Sequence, residues 1–93
     1  MKRPLLKSSA FVRSAKRTIR KTPQLAENIR SVLELLADDA FHPSLRTHKL
    51  KGNLEGSWAC SVAYDLRIVF SFVEHSGSEA ILLEAIGTHD EVY

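Results

Sequence analysis

Three short segments of this chain hold side chains that could transfer protons and bind phosphate: residues 46–51, 64–67 and 87–93. Together they supply histidines, a carboxylate, several cations and a terminal tyrosine. Cleavage of RNA by its own 2′-hydroxyl needs a base for that hydroxyl, an acid for the leaving 5′-oxygen and positive charge around the phosphorus. The residue types in these segments match those needs, and the chemistry requires no metal ion.

Two histidines are the candidates for proton transfer. His48 has cations on both sides in the sequence, and nearby positive charge favours a neutral imidazole that can accept a proton. His89 precedes two carboxylates, which favour the protonated imidazolium that can donate one. The alternatives are an exposed strand histidine at position 48 and a frayed chain end at position 89. The apolar and aromatic side chains of Val92 and Tyr93 favour an anchored end.

The remaining candidates would orient a histidine or bind RNA. Asp65 could orient a histidine and Arg67 could bind a phosphate, although the two could also form only a surface ion pair. Tyr93 could stack on a base or hydrogen-bond a phosphate. The other cations of the predicted site are Arg46, Lys49 and Lys51.

The composition is that of one globular domain covering residues 1–93, with 44% hydrophobic residues. No apolar run is long enough to cross a membrane, and no secretory signal follows the basic start. Cys60 is the only cysteine, which excludes an internal disulfide and favours the reducing cytoplasm. The histidines and this cysteine lack metal-ligand spacing, and no phosphate-binding loop or dinucleotide motif is present. We therefore expect neither a metal nor a cofactor.

The charge is divided unevenly along the chain. Residues 1–30 hold nine Lys/Arg and one acid, a balance of +8, whereas residues 31–93 hold four Lys/Arg and ten acids, a balance of −6. A basic surface of this kind suits phosphate groups or an acidic protein partner, although a solvated helix face is the simpler interpretation.

The hydrophobic pattern predicts two helices near the start of the chain, after a short strand at residues 3–7. Apolar residues at helical spacing predict a basic amphipathic helix from Ser8 to Lys21. Thr22-Pro23 predicts the beginning of a second helix, which ends near residues 38–39. The two helices would form a hairpin.

Strands follow in the second half of the chain. Alternating or β-prone runs predict them at residues 45–50, 58–63, 66–73 and 80–86, with a hairpin turn at residues 75–78. The predicted order is β-α-α-β-β-β-β. We therefore expect an α+β domain in which a mostly antiparallel sheet of four to five strands carries the helical hairpin on one face.

The chain also resembles the RelE/ParE toxin superfamily and, within it, the YafQ-like toxins. The resemblance covers essentially the whole chain and rests on the element order and on four segments, HKLKG at 48–52, GSW at 56–58, YDLRIVF at 64–70 and IGTHDEVY at 86–93. It implies an mRNA interferase that cuts mRNA in the ribosomal A site without a metal and is neutralised by a cognate antitoxin. The basic helix would then dock on ribosomal RNA.

The resemblance also implies roles for single residues. His48 is similar to the histidine before the family's mid-chain turn, Asp65 to the aspartate of the next strand, and His89 to the histidine thought to be the general acid. His89 would protonate the leaving 5′-oxygen, and His48, helped by Asp65, would activate the 2′-hydroxyl. Tyr93 matches the terminal aromatic that supports substrate binding. Cations would hold the phosphate: Arg46, Lys49, Lys51 and Arg67.

Two departures from the YafQ pattern and two rival functions bear on this interpretation. Residues 58–65 contain no histidine, and Glu84-Ala85 stands where the family has an arginine. One rival is a ParE-like inhibitor of DNA gyrase, and the other is a degenerate toxin that only binds its antitoxin. The retained set of His48, Asp65 and His89 favours the ribonuclease.

Overall fold

Two helices lie on one side of a five-stranded sheet in the computed structural model, which describes residues 2–93. The strands are β1 (Leu5–Lys7), β2 (His48–Lys49), β3 (Trp58–Ala63), β4 (Leu66–His75) and β5 (Ser78–Gly87). The helices are α1 (Ser9–Lys21), α2 (Leu25–Asp38) and the single-turn α3 (His89–Val92), and 3-10 turns occupy Pro43–Leu45 and Gly52–Leu54. The predicted α+β class with an early helical hairpin is confirmed.

The first helix has the bounds that its pattern predicts, and the second begins later. Ser8 is the N-cap of α1, and its side-chain oxygen accepts a hydrogen bond from the backbone N–H of Phe11 at 3.0 Å. Phe11 is buried, whereas the basic residues of α1 are exposed. α2 begins at Leu25 rather than near Pro23, because the backbone N–H of Leu25 donates to the carbonyl of Thr22 and closes a turn there.

The sheet has the order β1-β5-β4-β3-β2. Four neighbouring strands pair antiparallel, and β1 pairs parallel with β5, so the sheet is mostly antiparallel as predicted. The predicted hairpin turn joins β4 to β5. Ser76 and Gly77 both have positive φ there, 52° and 81°, as a tight two-residue hairpin turn requires.

Cross-strand register divides the sheet into two faces, since directly paired residues point to the same side. Cys60, Ile68 and Ile86 form one row and are buried in the core with residues of α1 and α2, so we call this side the covered face. The next row contains Ser61, Arg67 and Gly87 and points to the opposite side, which we call the open face.

The third helix was not predicted from the sequence. Thr88 caps α3, because its side chain accepts from the backbone N–H of Glu91 while the Glu91 carboxylate accepts from the backbone N–H of Thr88. The segment after β5 therefore turns back instead of leaving the sheet. Between residues 2 and 93, no helix is both long and apolar enough to span a membrane.

Candidate functional site

The turn between β3 and β4 places a carboxylate beside the last helix. Ala63 pairs with Leu66, so Tyr64 and Asp65 form the turn, and Asp65 adopts the left-handed region with φ of 56°. One oxygen of Asp65, Oδ1, accepts from Nη1 of Arg67 at 3.2 Å and, more weakly, from the backbone N–H of His89 at 3.4 Å. The carboxylate therefore links β4 to the start of α3.

Arg67 lies on the open face next to that turn. It pairs with Ser61 on one side and Gly87 on the other, and 29% of its side chain is exposed. Together with Asp65 it borders a cavity of about 510 Å³ that Arg46 also lines. The cavity has two guanidinium groups and one carboxylate, so it suits a phosphate group held by paired N–H donors.

α3 carries an imidazole and a phenol on one side. The rings of His89 and Tyr93 meet edge to face, with centroids 4.6 Å apart. Burial raises the pKa of the Tyr93 hydroxyl, and the positive charge of Arg67 opposes that rise. Tyr93 and Arg67 are therefore close enough to interact electrostatically. Through this interaction α3 lies next to the cavity that Arg67 lines.

Two local features hold α3 against the sheet. A Cβ added to Gly87 would stand 3.0 Å from Cβ of Glu91 and 3.2 Å from Cγ1 of Val92, so only glycine permits this approach. The hydrogen bond from the backbone N–H of Thr88 lowers the pKa of the Glu91 carboxyl, and Arg17 and Lys21 lower it further. The end of α1 thus faces α3 with complementary charge.

His48 lies on the same face but at the edge of the sheet. It is exposed on β2 and pairs with Ala59, which belongs to the open face. Its Nδ1 lies 3.0 Å from the carbonyl oxygen of Arg46. A carbonyl only accepts, so Nδ1 carries a proton and Nε2 of a neutral ring remains free to accept another.

Among the described residues, no hydrogen bond joins Asp65 to His48, although the two were predicted to act together. Across residues 2–93, the hydrogen bonds of the Asp65 side chain go to Arg67 and His89. His48 is two strands away from Arg67, roughly 10 Å at ~4.8 Å per strand. The structure therefore groups Asp65 with the candidate acid rather than with the candidate base.

Two of the predicted phosphate-binding cations lie elsewhere. Lys49 pairs with Trp58 and points to the covered side, with Nζ 5.5 Å from the centre of the Trp58 ring. Lys49 and Lys51 both line another cavity, of about 480 Å³, beside the 3-10 turn at Gly52–Leu54. They are separated from the cavity that holds Arg46, Asp65 and Arg67.

A further polar pair, which the sequence did not indicate, lies on the open face. The hydroxyl of Ser57 donates to Oε1 of Glu84 at 2.8 Å, although the two residues lie on different strands of the sheet. In the sequence, Glu84 is notable only because it stands where the family has an arginine. Its position depends on an irregular register between β4 and β5, for which the sequence has no signal. Thr88 and Glu91, by contrast, show capping-box spacing that could have revealed α3.

No cluster of three or more His, Cys, Asp or Glu side chains arranged to hold a metal ion occurs in the part of the chain that the structure describes. The titratable groups of the site instead sit beside arginines. The arrangement can therefore bind a phosphate between Arg46 and Arg67, beside a carboxylate that also contacts the backbone of His89.

Comparison with known proteins gives one family and one fold. Residues 3–93 match the model of the family described as the bacterial toxin of type II toxin–antitoxin system, YafQ. No curated protein sequence matches the chain. The fold is that of RelE-like toxins, as three solved structures illustrate.

YafQ from E. coli has 16% identity and a TM-score of 0.80, with 98% of each chain covered. The E. coli DinJ-YafQ toxin–antitoxin complex has 17% identity and a TM-score of 0.77, covering 100% of this chain and 99% of the other. A metal-bound toxin from Helicobacter pylori has 22% identity and a TM-score of 0.78, with 100% of both chains covered.

Proposed function

Because this chain belongs to the YafQ family of toxins of bacterial type II toxin–antitoxin systems, we propose that it is a ribosome-dependent endoribonuclease that cleaves mRNA in the A site. One observation supports this more than any other. The carboxylate of Asp65 links Arg67 to the backbone of His89 on one edge of the open face. In this proposal Arg67 is the phosphate-binding cation and His89 the proton donor, and the shared carboxylate keeps Arg67 close to the backbone of His89.

The proposed reaction is a metal-independent transesterification. Nε2 of His48 takes the proton of the 2′-hydroxyl, and the 2′-oxygen attacks the neighbouring phosphorus. The bond from phosphorus to the 5′-oxygen breaks, and protonated His89 gives that oxygen its proton. The products are a 2′,3′-cyclic phosphate and a free 5′-hydroxyl.

Substrate binding follows the placement of the cations and the aromatic ring. Arg67 and Arg46 hold the phosphate across their shared cavity, and Asp65 fixes Arg67 by accepting its hydrogen bond. Tyr93 supports a base beside His89. Lys49 and Lys51, on the other side of β2, bind RNA outside the reacting phosphate.

Two macromolecular partners belong to this proposal. The exposed basic side of α1 docks on ribosomal RNA, where contacts to the sugar–phosphate backbone give salt-sensitive affinity. A cognate antitoxin neutralises the toxin, and the E. coli toxin with the same fold is known in complex with its antitoxin. The toxin would act in the cytoplasm, where translating ribosomes are.

Substitution of the proposed acid tests the function. In a translating extract with a reporter mRNA, we expect His89→Ala to lower the cleavage rate by at least ~100-fold, the usual contribution of a general acid. His75→Ala is the matched control, because it removes an exposed imidazole at the opposite end of β4, far from the proposed site. That control should cleave at close to the wild-type rate.

Other outcomes would contradict the proposal. If His89→Ala folds and cleaves normally, His89 is not the acid. If the wild-type protein cuts no mRNA and inhibits DNA gyrase instead, the chain acts as a ParE-like toxin. If it does neither and is harmless when expressed without an antitoxin, it is a degenerate toxin.

A further inference from the structure

Glu84 occupies an irregular position in β5. Val69 pairs with Ala85, and the next residue, Phe70, pairs with Leu83, so Glu84 is an extra residue without a partner on β4. Its carboxylate oxygen Oε1 accepts the hydroxyl of Ser57 at 2.8 Å. Both residues are half-buried, which limits the movement of their side chains.

The contact shows on which face the carboxylate lies. Ser57 directly precedes β3, and alternation places it on the same side as Ala59 and Ser61, the open face. β4 separates β3 from β5 in the sheet. The side chain of Glu84 therefore crosses β4 on the open face to reach Ser57.

The open face then has three successive polar positions along β3. Arg67 pairs with Ser61, and His48 pairs with Ala59. Glu84 accepts a hydrogen bond from Ser57. Residues on the same face of a strand are ~6.8 Å apart, so Ser57 and the Glu84 carboxylate that it contacts are roughly 13 Å along the strand from the row of Arg67. That separation is too large for both to bind one phosphate, but it suits contact with a neighbouring nucleotide.

The chemistry of a carboxylate limits what this position can bind. An ionised carboxylate accepts hydrogen bonds only and repels a phosphate, so its partner must be a base that donates. On the Watson–Crick edge, guanine alone has two adjacent donors, N1–H and the N2 amino group. Adenine and cytosine have one amino donor beside an acceptor nitrogen, and uracil has one N–H between two carbonyls.

We propose that Glu84, held by Ser57, forms a guanine-recognising subsite next to the cleavage position. The carboxylate accepts from N1–H and N2–H of a guanine that is one nucleotide from the scissile phosphate. Oε1 keeps a lone pair for this contact after accepting from Ser57. The inference rests on the proposed ribonuclease function, because it assigns base specificity to that same reaction.

The distribution of cleavage positions tests the subsite. In a translating extract with a reporter mRNA of varied sequence, we expect the wild-type protein to favour cuts next to guanine by roughly tenfold, the usual discrimination of a paired base contact. Glu84→Gln should lose that preference, because a carboxamide presents one donor and one acceptor. Ser57→Ala should weaken it only in part, since the carboxylate remains but is less fixed.

Glu55→Gln is the matched control, because it removes one negative charge from the segment that leads to Ser57 without touching Glu84. It should keep the guanine preference. The proposal is overturned if wild-type cuts show no guanine preference, or if Glu84→Gln keeps it. A uniform rise in cleavage at all positions in Glu84→Gln would also overturn it, since only charge would then matter.

If Glu84→Gln unfolds, Ser57→Ala decides the question through the same cut distribution. Failure of the subsite is separate from failure of the proposed function. In the first case the wild-type protein cuts mRNA with a pattern that does not depend on Glu84, and in the second it cuts none.

Discussion

At the scale of single residues, Asp65 meets two demands at once. Its backbone adopts a left-handed conformation in the turn, which aspartate tolerates better than most residues, and its carboxylate accepts from Arg67 and His89. The backbone demand concerns stability and the carboxylate demand concerns the site. Different substitutions can therefore separate them.

We expect Asp65→Gly to fold with nearly wild-type stability and to lower the mRNA cleavage rate by roughly tenfold, because a charge-assisted contact worth about 1.5 kcal/mol is lost at Arg67. Asp65→Ala should lose the same activity and should also be less stable by about 1 kcal/mol, because alanine is strained at positive φ. Urea unfolding and the reporter assay measure the two effects. Equal activity of Asp65→Gly and wild-type protein would show that the carboxylate has no part in the site.

The sequence indicated which residues could act together only where those residues are close to each other along the chain. Asp65 and Arg67 flank one turn, and His89 and Tyr93 share one helical turn, so each pair is local. His48 and Lys49 are also adjacent, but strand alternation sends them to opposite faces. The prediction that His48 and Lys49 act on one phosphate depended on how β2 pairs with β3, which the sequence does not show. The catalytic roles themselves stay predictions.

At the scale of elements, the short helix α3 determines where His89 lies. One helical turn buries little surface, so its position depends on the Thr88 cap and on the close approach at Gly87. The longer helices were predictable from their apolar periodicity, which a four-residue helix is too short to show. The parallel pairing of β1 with β5 was also not predicted, because it joins opposite ends of the chain.

Gly87→Ala tests whether the position of α3 matters. The new methyl group would stand 2.9 Å from Oε1 of Glu91 and within 3.2 Å of Val92, so the helix has to shift or detach. We expect mRNA cleavage to fall by roughly tenfold or more, since small displacements of a positioned catalytic group are costly. Global stability should change by no more than about 1 kcal/mol, and amide exchange should rise in residues 88–93.

A second variant, Thr88→Ala, loosens α3 in a different way, because it removes the cap without adding bulk at the sheet. It should also raise exchange in α3, and activity should fall in proportion. Wild-type cleavage by a Gly87→Ala protein with a detached α3 would contradict the assigned role of the helix.

At the scale of the whole molecule, the uneven charge of the sequence has a spatial meaning. The basic residues of α1 point away from the covered face, whereas the candidate cleft lies on the open face. Most of the basic surface of α1 is therefore on the side opposite the cleft, while Arg17 and Lys21 near its end approach Glu91 of α3. A molecule with this layout can rest on one RNA through α1 while another RNA enters the cleft, as the proposed action on the ribosome requires.

The core between these surfaces contains Cys60, which is 1% exposed. Burial raises the pKa of its thiol from 9.0 to about 12, because an ionised sulfur would lose its hydration there. The folded state therefore holds the thiol proton more strongly than the unfolded chain. The resulting stability is fully present below pH 9 and is lost as the pH rises from 9 towards 12.

Urea unfolding at several pH values measures this loss. We expect the unfolding free energy of the wild-type protein to fall by about 1.4 kcal/mol more than that of Cys60→Ala between pH 8 and pH 10, since each unit above the unfolded pKa costs about 1.4 kcal/mol. Alanine leaves a small cavity and lowers stability by about 1 kcal/mol at neutral pH, but it has no proton to lose. All other titrating groups are common to both proteins, so their effects cancel in the difference. If the pH curves of the two proteins run parallel, water reaches the thiol in the native state. The packing of α2 on β3 would then open more readily than the burial of Cys60 implies.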